Sequence, residues 1–307
     1  MPSTNNERTA VVLGLSAVLL WSTVATAFKL TLAQFSPIQM LLVASIVSAF
    51  TLLLICGYQG KLNQIVPIFK ANPKFFLLLG LINPFGYYLI LFKAYELLPA
   101  SQAQPLNYSW AITLTLMAAI FLGQKIRRQD WVACGLGYFG VLIIATKGDL
   151  LGLHFESPLG VILALLSTLL WASYWILNTK NKSDPIIVVL LGFLISLPFS
   201  LFAAWHEGHA WSHINWQGWL AVSYVGLFEM GITFVLWLSA LKLTQNTARL
   251  SNFIFLSPFI SLLLLSQIIG ETIYPSTIIG LVFILIGLMI QQIKFKRHRS
   301  TSTTRSG

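Results

Sequence analysis

Charge is what this chain has least of. Asp, Glu, Lys and Arg together make up 9% of its 307 residues, against 56% hydrophobic. An ordinary soluble domain carries roughly 25% charged residues. So few charges cannot cover a water-facing surface, and a soluble fold is excluded. Cysteine is scarce as well. Cys56 and Cys134 fall in or near apolar runs, where they read as small packing residues rather than a disulfide framework or a metal site. Aspartate occurs only as Asp130, Asp149 and Asp184, all at loops or span ends. There is no G-x-x-x-x-G-K-S/T phosphate loop, no G-x-S-x-G elbow, no H-E-x-x-H and no pair of intramembrane carboxylates. An ATP motor and an intramembrane hydrolase both lack the residues they need. The chain reads as non-enzymatic, with no cofactor. The alternating pattern of a membrane barrel is also missing.

What remains is a succession of apolar runs. Each is long enough, at about 20 residues, to cross a hydrocarbon core of about 30 Å as a helix. The runs are 9–29, 37–57, 75–97, 101–123, 130–146, 158–178, 185–205, 217–240, 247–269 and 275–293. Lipid offers the backbone no hydrogen-bond partner, so the fold is all-helical.

The chain also says the same thing twice. Leu19-Leu20-Trp21-Ser22-Thr23 is echoed by Leu169-Leu170-Trp171-Ala172-Ser173. Ala94-Tyr95-Glu96-Leu97-Leu98 is answered by Ala240-Leu241-Lys242-Leu243-Thr244, and Leu122-Gly123-Gln124 by Ile269-Gly270-Glu271. Five spans per copy is an odd number, so the second copy must enter the membrane upside down. The expected fold is an all-α integral membrane protein of ten transmembrane helices in two inverted five-helix repeats, 9–146 and 158–293, followed by a basic tail, 294–307. Inverted repeats are a transporter signature, with the binding site expected where the halves meet.

The net charge of +10 reflects topology rather than nucleic-acid binding. With the N-terminus in the cytoplasm, Arg8, Lys61, Lys70, Lys74, Lys125, Arg127, Arg128, Lys180, Lys182, Lys242, Arg249 and the tail fall inside. Only Lys29, Lys93 and Lys147 fall outside. That imbalance predicts cytoplasmic termini in the plasma (cell inner) membrane. Arg8, the apolar run after it and Ala25-Thr26-Ala27 mimic a cleavable signal. The internal counterpart around Trp171 makes this segment part of the repeat instead. Segment 58–74 reads as an amphipathic stretch on the inner interface. The basic tail is expected to be disordered and near anionic lipid. In the outer loop 206–216, His209 and His213 have a spacing that can hold a metal. An interfacial aromatic belt with Trp205, Trp211, Trp216 and Trp219 is the reading preferred here. Lys93 and Glu96 read as a self-neutralising pair. Pro198 and Pro258 are expected kinks.

Glu229 lies near the middle of the eighth span, where an ionisable group costs about 2.5–3.5 kcal/mol on insertion scales. It must face a cavity or a partner, and it can exchange a proton or pair with a substrate ammonium. The repeat places Asn83 at the matching point of the third span, and Pro84 after it removes a backbone donor and breaks the helix. Asn107, Tyr108 and Trp110 open the fourth span. Tyr88, Tyr95, Trp171, Tyr174 and Trp175 can join them at the centre, as aromatic walls that suit flat or apolar substrates or hold a cation over a ring face.

Leu-Trp-Ser near the end of the first span, Ala94 to Ala103, and Phe121-Leu122-Gly123-Gln124, in this order and echoed in the second half, resemble the EamA family of the drug/metabolite transporter superfamily. The resemblance spans roughly 9–293. It implies ten helices, a central cavity between the repeats, and export of small metabolites by alternating access. Asn107-Tyr108-Ser109-Trp110 is similar to the Asn-Tyr-Leu-Trp segment of bacterial aromatic amino-acid exporters, which implies that Tyr108 and Trp110 line the cavity. Here Ser109 replaces the leucine, and Ala111 stands where those exporters have proline.

The expected function is thus secondary export of amino acids or related amphipathic metabolites. Tyr88, Tyr108, Trp110, Trp171 and Tyr174 would form the wall, Asn83 and Asn107 would orient the substrate, and Glu229 would pair its ammonium or carry a proton. A flippase for lipid or lipid-linked substrates and a non-transporting sensor are the alternatives. The partners expected are a small metabolite and the bilayer, with no metal and no nucleic acid. The oligomeric state is left open.

Overall fold

A computed structural model describes residues 4–179, 181–244, 250 and 253–292. Lys180, Arg249, the start of the ninth span at 247–249 and the tail from 294 lie outside the described residues. Among the described residues the secondary structure is helical throughout. Eight helices are long and apolar enough to cross a membrane: Asn6–Leu32, Pro37–Tyr58, Pro73–Leu97, Ala100–Leu122, Pro158–Asn178, Pro185–Glu207, Trp216–Leu243 and Pro275–Gln292. Two more complete the order. Arg128–Ala145 is the fifth span, and Phe253–Ile269 is a shorter apolar ninth. A short helix, Leu62–Ala71, links the second span to the third and buries none of its side chains.

The helix starts are written in the sequence. Ser36 and Gln39 form a reciprocal capping box ahead of Pro37. Asn72, Ser157 and Asp184 each cap a helix that opens with proline, whose missing N–H is an orphan donor there anyway. Gly123 and Gly270 close the fourth and ninth spans in the left-handed region, at φ 66° and 77°.

Packing follows the repeat. The fifth span lies against the tenth, the first against the eighth, the second against the seventh, and the third and fourth against the sixth, while the first also meets the ninth. Exchanging the halves turns first-with-eighth into sixth-with-third and fourth-with-sixth into ninth-with-first. Every major contact thus has its partner under the exchange. The fifth and tenth spans meet backbone to backbone. A Cβ on Gly140 would sit 2.4 Å from the Gly280 carbonyl, and one on Gly287 would sit 2.8 Å from the Ala133 carbonyl. The register that matches Gly123 with Gly270 also matches Ala133 with Gly280 and Gly140 with Gly287. These two approaches are therefore one contact seen from each half.

Two spans are not continuous α-helix. The third changes to a wide π turn at Leu81–Gly86, where Asn83 leaves helical geometry at φ −144°, ψ 122° ahead of Pro84. The eighth does so at Val225–Ile232 with no proline. Its widened turn is held from the second span, where Ser48 Oγ donates to the Met230 carbonyl at 2.8 Å. Gly226 allows this approach, since a Cβ there would meet the Ala44 carbonyl at 2.5 Å. The seventh span is one helix across Pro198. Pro258 falls where a tight 3-10 turn, Phe253–Leu256, gives way to α-helix.

The two ends of the bundle differ. At the end predicted to be inner, Lys61 pairs with Asp184 at 2.6 Å and Arg127 with Asp130 at 2.8 Å. At the opposite end the Glu271 carboxylate accepts from the Ala100 and Ser101 N–H groups, both at 2.9 Å. Lys147 pairs there with Glu156 at 2.8 Å, and Lys93 pairs with Glu96. In the loop between the seventh and eighth spans, His213 Nε2 meets the Gln34 carbonyl and His209 Nδ1 meets Glu207. Trp211 stacks on Trp219 with Phe35 against both.

Candidate functional site

The two irregular turns meet at the centre. The Tyr88 hydroxyl, one helical turn beyond the break in the third span, donates to Glu229 Oε1 at 3.4 Å. Tyr88 is 2% exposed. Asn83 and Tyr88 line a crevice with Tyr174, Phe234 and Gly192. Gly192 lets the seventh span approach the break, since a Cβ there would lie 3.3 Å from the Asn83 carbonyl. Two acceptors here are buried and have no hydrogen-bond partner among the described residues: Glu229 Oε2 and Asn83 Oδ1. A buried acceptor left unmatched is costly.

An aromatic cluster continues from this point. Tyr87 packs on Tyr88 at 4.8 Å and on Trp171 at 4.7 Å between centroids. Trp171 stacks on Tyr174 at 5.6 Å and meets Trp110 edge-on at 6.3 Å. Trp110 in turn stacks on Trp175 at 6.5 Å. The Tyr87 hydroxyl donates to Asn107 Oδ1 at 3.4 Å, and Asn107 Nδ2 donates to Ser167 Oγ at 3.0 Å. Tyr88, Asn107, Trp110, Trp171, Tyr174, Asn83 and Glu229 are thus joined by contacts or by one crevice. Tyr108 ends the first segment of the fourth span, half-buried beside Asn107, and stands outside the ring cluster among the described residues. Tyr95 packs on Phe28 instead.

Sequence reasoning missed Tyr87, which links the rings to Asn107, and Ser167, which holds that amide. It also missed Phe234, which touches both Trp21 and Trp171. A signal existed for Phe234: the register that matches Asn83 with Glu229 matches Tyr88 with Phe234.

The crevice at Asn83 and Tyr88 encloses about 10 Å³, roughly the room of one water. A larger cavity of about 500 Å³ lies near the basic end, between the fourth, fifth, sixth and tenth spans.

The profile of the EamA-like transporter family matches residues 8–146 and again 158–291. The chain belongs to this family. It is 26% identical over 266 residues to the aromatic amino acid exporter YddG of Ancylobacter novellus, covering 85% of this chain and 88% of that one. It is also 26% identical over 265 residues to a probable amino-acid metabolite efflux pump of Salmonella typhimurium, covering 81% and 88%. A crystal structure of a protein with 21% identity covers 92% of this chain at a TM-score of 0.67. That likeness supports the fold alone. As an EamA protein, the chain is a membrane transporter with two copies of one repeat, and the residues described above lie between the copies.

Proposed function

We propose that this EamA protein is a secondary transporter that exports amino acids or related amphipathic metabolites, with preference for an aromatic side chain. The carrying observation is the half-buried Glu229 carboxyl, whose Oε2 is buried. It receives one hydrogen bond, from Tyr88, and leaves Oε2 unmatched beside a wall of Tyr and Trp rings. A substrate ammonium supplies the missing donor, and its ring finds the faces of Tyr87, Trp171 and Trp110. Asn83 and Asn107 give it polar orientation, Tyr174 completes the ring wall, and Tyr108 stands outside that wall next to Asn107. The names of the two relatives above, an aromatic amino acid exporter and an amino-acid metabolite efflux pump, support the substrate class.

Alternating access is then a rocking of one repeat, 9–146, against the other, 158–293. The lysine and arginine distribution supports cytoplasmic termini and a basic end that faces the cytoplasm. With that orientation, Glu271 closes the outer end across the start of the fourth span. Glu229 is also the proposed proton carrier, being ionisable and near mid-membrane.

Proteoliposomes preloaded with a labelled amino-acid mixture test the reading. Protein-dependent release of the aromatic members is the expected result. Folded protein that releases no amino acid overturns it.

A further inference from the structure

The cavity of about 500 Å³ near the basic end takes no part in the site proposed above. Its size is that of a ligand pocket, and its walls change character along its length. Leu114, Ala118, Leu122 and Ile176 form an apolar trough with Trp175. At about 1.5 Å per residue, Leu114 lies about 12 Å deeper along the fourth span than Leu122. The trough therefore runs from the interface into the hydrocarbon depth. Its mouth carries Lys125 and Arg127 against a single acid, Asp130. Arg127 already pairs with Asp130 and donates to the Gln291 carbonyl, while Lys125 has no carboxylate partner among the described residues. Gln291 lines the same cavity. Gln291 Nε2 is buried and has no hydrogen-bond partner among the described residues.

A mouth of donors and net positive charge above an apolar trough fits an anion joined to a hydrocarbon chain. Basic pockets between transmembrane helices on the cytoplasmic side bind acidic lipid headgroups. We infer that this cavity is a site for one anionic phospholipid of the leaflet at the basic end, its phosphate at Lys125 and Gln291 and one acyl chain along Trp175. The tail sequence, with Lys294, Lys296, Arg297 and Arg299, has the wrong sign of charge to complement Lys125. Trp175 stacks on Trp110 and meets Trp171, so the lipid would also brace the central ring cluster.

The test is native mass spectrometry of the full chain, delipidated in detergent and titrated with phosphatidylglycerol or phosphatidylcholine. Wild type is expected to retain phosphatidylglycerol preferentially. Lys125→Gln should cut that preference about fivefold, the equivalent of about 1 kcal/mol for one basic residue at a membrane surface. Gln291→Leu should lower it less, and Lys70→Gln, at the same end but outside the cavity, should leave it unchanged. Equal retention of both lipids by wild type overturns the inference. So does an unaltered preference in both Lys125→Gln and Gln291→Leu. Displacement of phosphatidylglycerol by millimolar inorganic phosphate or N-acetyltryptophan also overturns it, because the cavity would then take free anions. None of these outcomes depends on which metabolite the transporter moves.

Discussion

The third and eighth spans are copies of one element, and so are the fifth and tenth, yet the two pairs have treated the repeat differently. The fifth and tenth keep it faithfully. Gly140 on Gly280 and Gly287 on Ala133 are the same close approach read from each half. The third and eighth keep the backbone irregularity but not its chemistry. Both open into a wide turn at matching positions. One turn carries the neutral Asn83 and the other the ionisable Glu229. The residues that face them differ in the same way, with Tyr88 against Glu229 and Phe234 beside Asn83 in the crevice. Where the halves only hold each other, small residues suffice on both sides. Where the substrate is proposed to bind, one half supplies the hydroxyl and the other the carboxylate, so the centre has a charged side and a neutral side.

The comparison breaks most directly at its charged member. Glu229→Gln or Glu229→Asn makes the two wide turns alike in charge. Either should lower flux by at least about tenfold, since hydrogen bonds to charged groups are worth about 1.5–3 kcal/mol. An initial-rate flux assay checks it. Next comes the faithful pair. Gly280→Val forces a side chain to within 2.5 Å of the Gly140 carbonyl and of Ile144. Overpacking of this kind costs about 1–3 kcal/mol, so a lower melting temperature and folding yield are expected. Gly135→Ala, with open space around it, should change neither.

Tyr88→Phe makes the third span resemble the eighth, because Tyr88 and Phe234 stand at matching positions of the repeat. It removes one hydrogen bond and keeps the ring, so a loss of roughly twofold to tenfold in flux is expected. The smallest effect lies outside the membrane. Burial opposes ionisation of Asp184, but Lys61 and the Ile186 and Ile187 N–H groups outweigh it and hold the carboxyl below its ordinary value. A depressed folded pKa adds stability above the unfolded value of about 4, and that stability is lost as pH falls through the folded value. Asp184→Asn should lower the melting temperature by about 2–4 °C at neutral pH. In thermal melts across pH, the gap should close in acid.

Much of the fold was legible because lipid leaves few options. A run of about 20 apolar residues must be a helix, and Ser36, Ser157 and Asp184 before proline mark where helices begin. The break in the third span was legible from Pro84. Its counterpart in the eighth was not, because no residue there forbids a helix. The wide turn depends on Ser48 and Ala44 from another span. Glu229 declared itself by its depth, and Asn83 by the repeat. Tyr87 looked like any ring beside Tyr88, and only the crossing of the third and sixth spans puts it on Trp171. The cavity near the basic end was illegible for the same reason, since it is built from the ends of four spans far apart in sequence.

The most direct test of the account is the pH dependence of substrate flux in proteoliposomes for wild type and Glu229→Gln, side by side. The account predicts a wild-type rate that changes with pH and a residual Glu229→Gln rate that does not. The same pH dependence in both proteins would contradict it, because the charged side of the centre would then have no part in moving the proton.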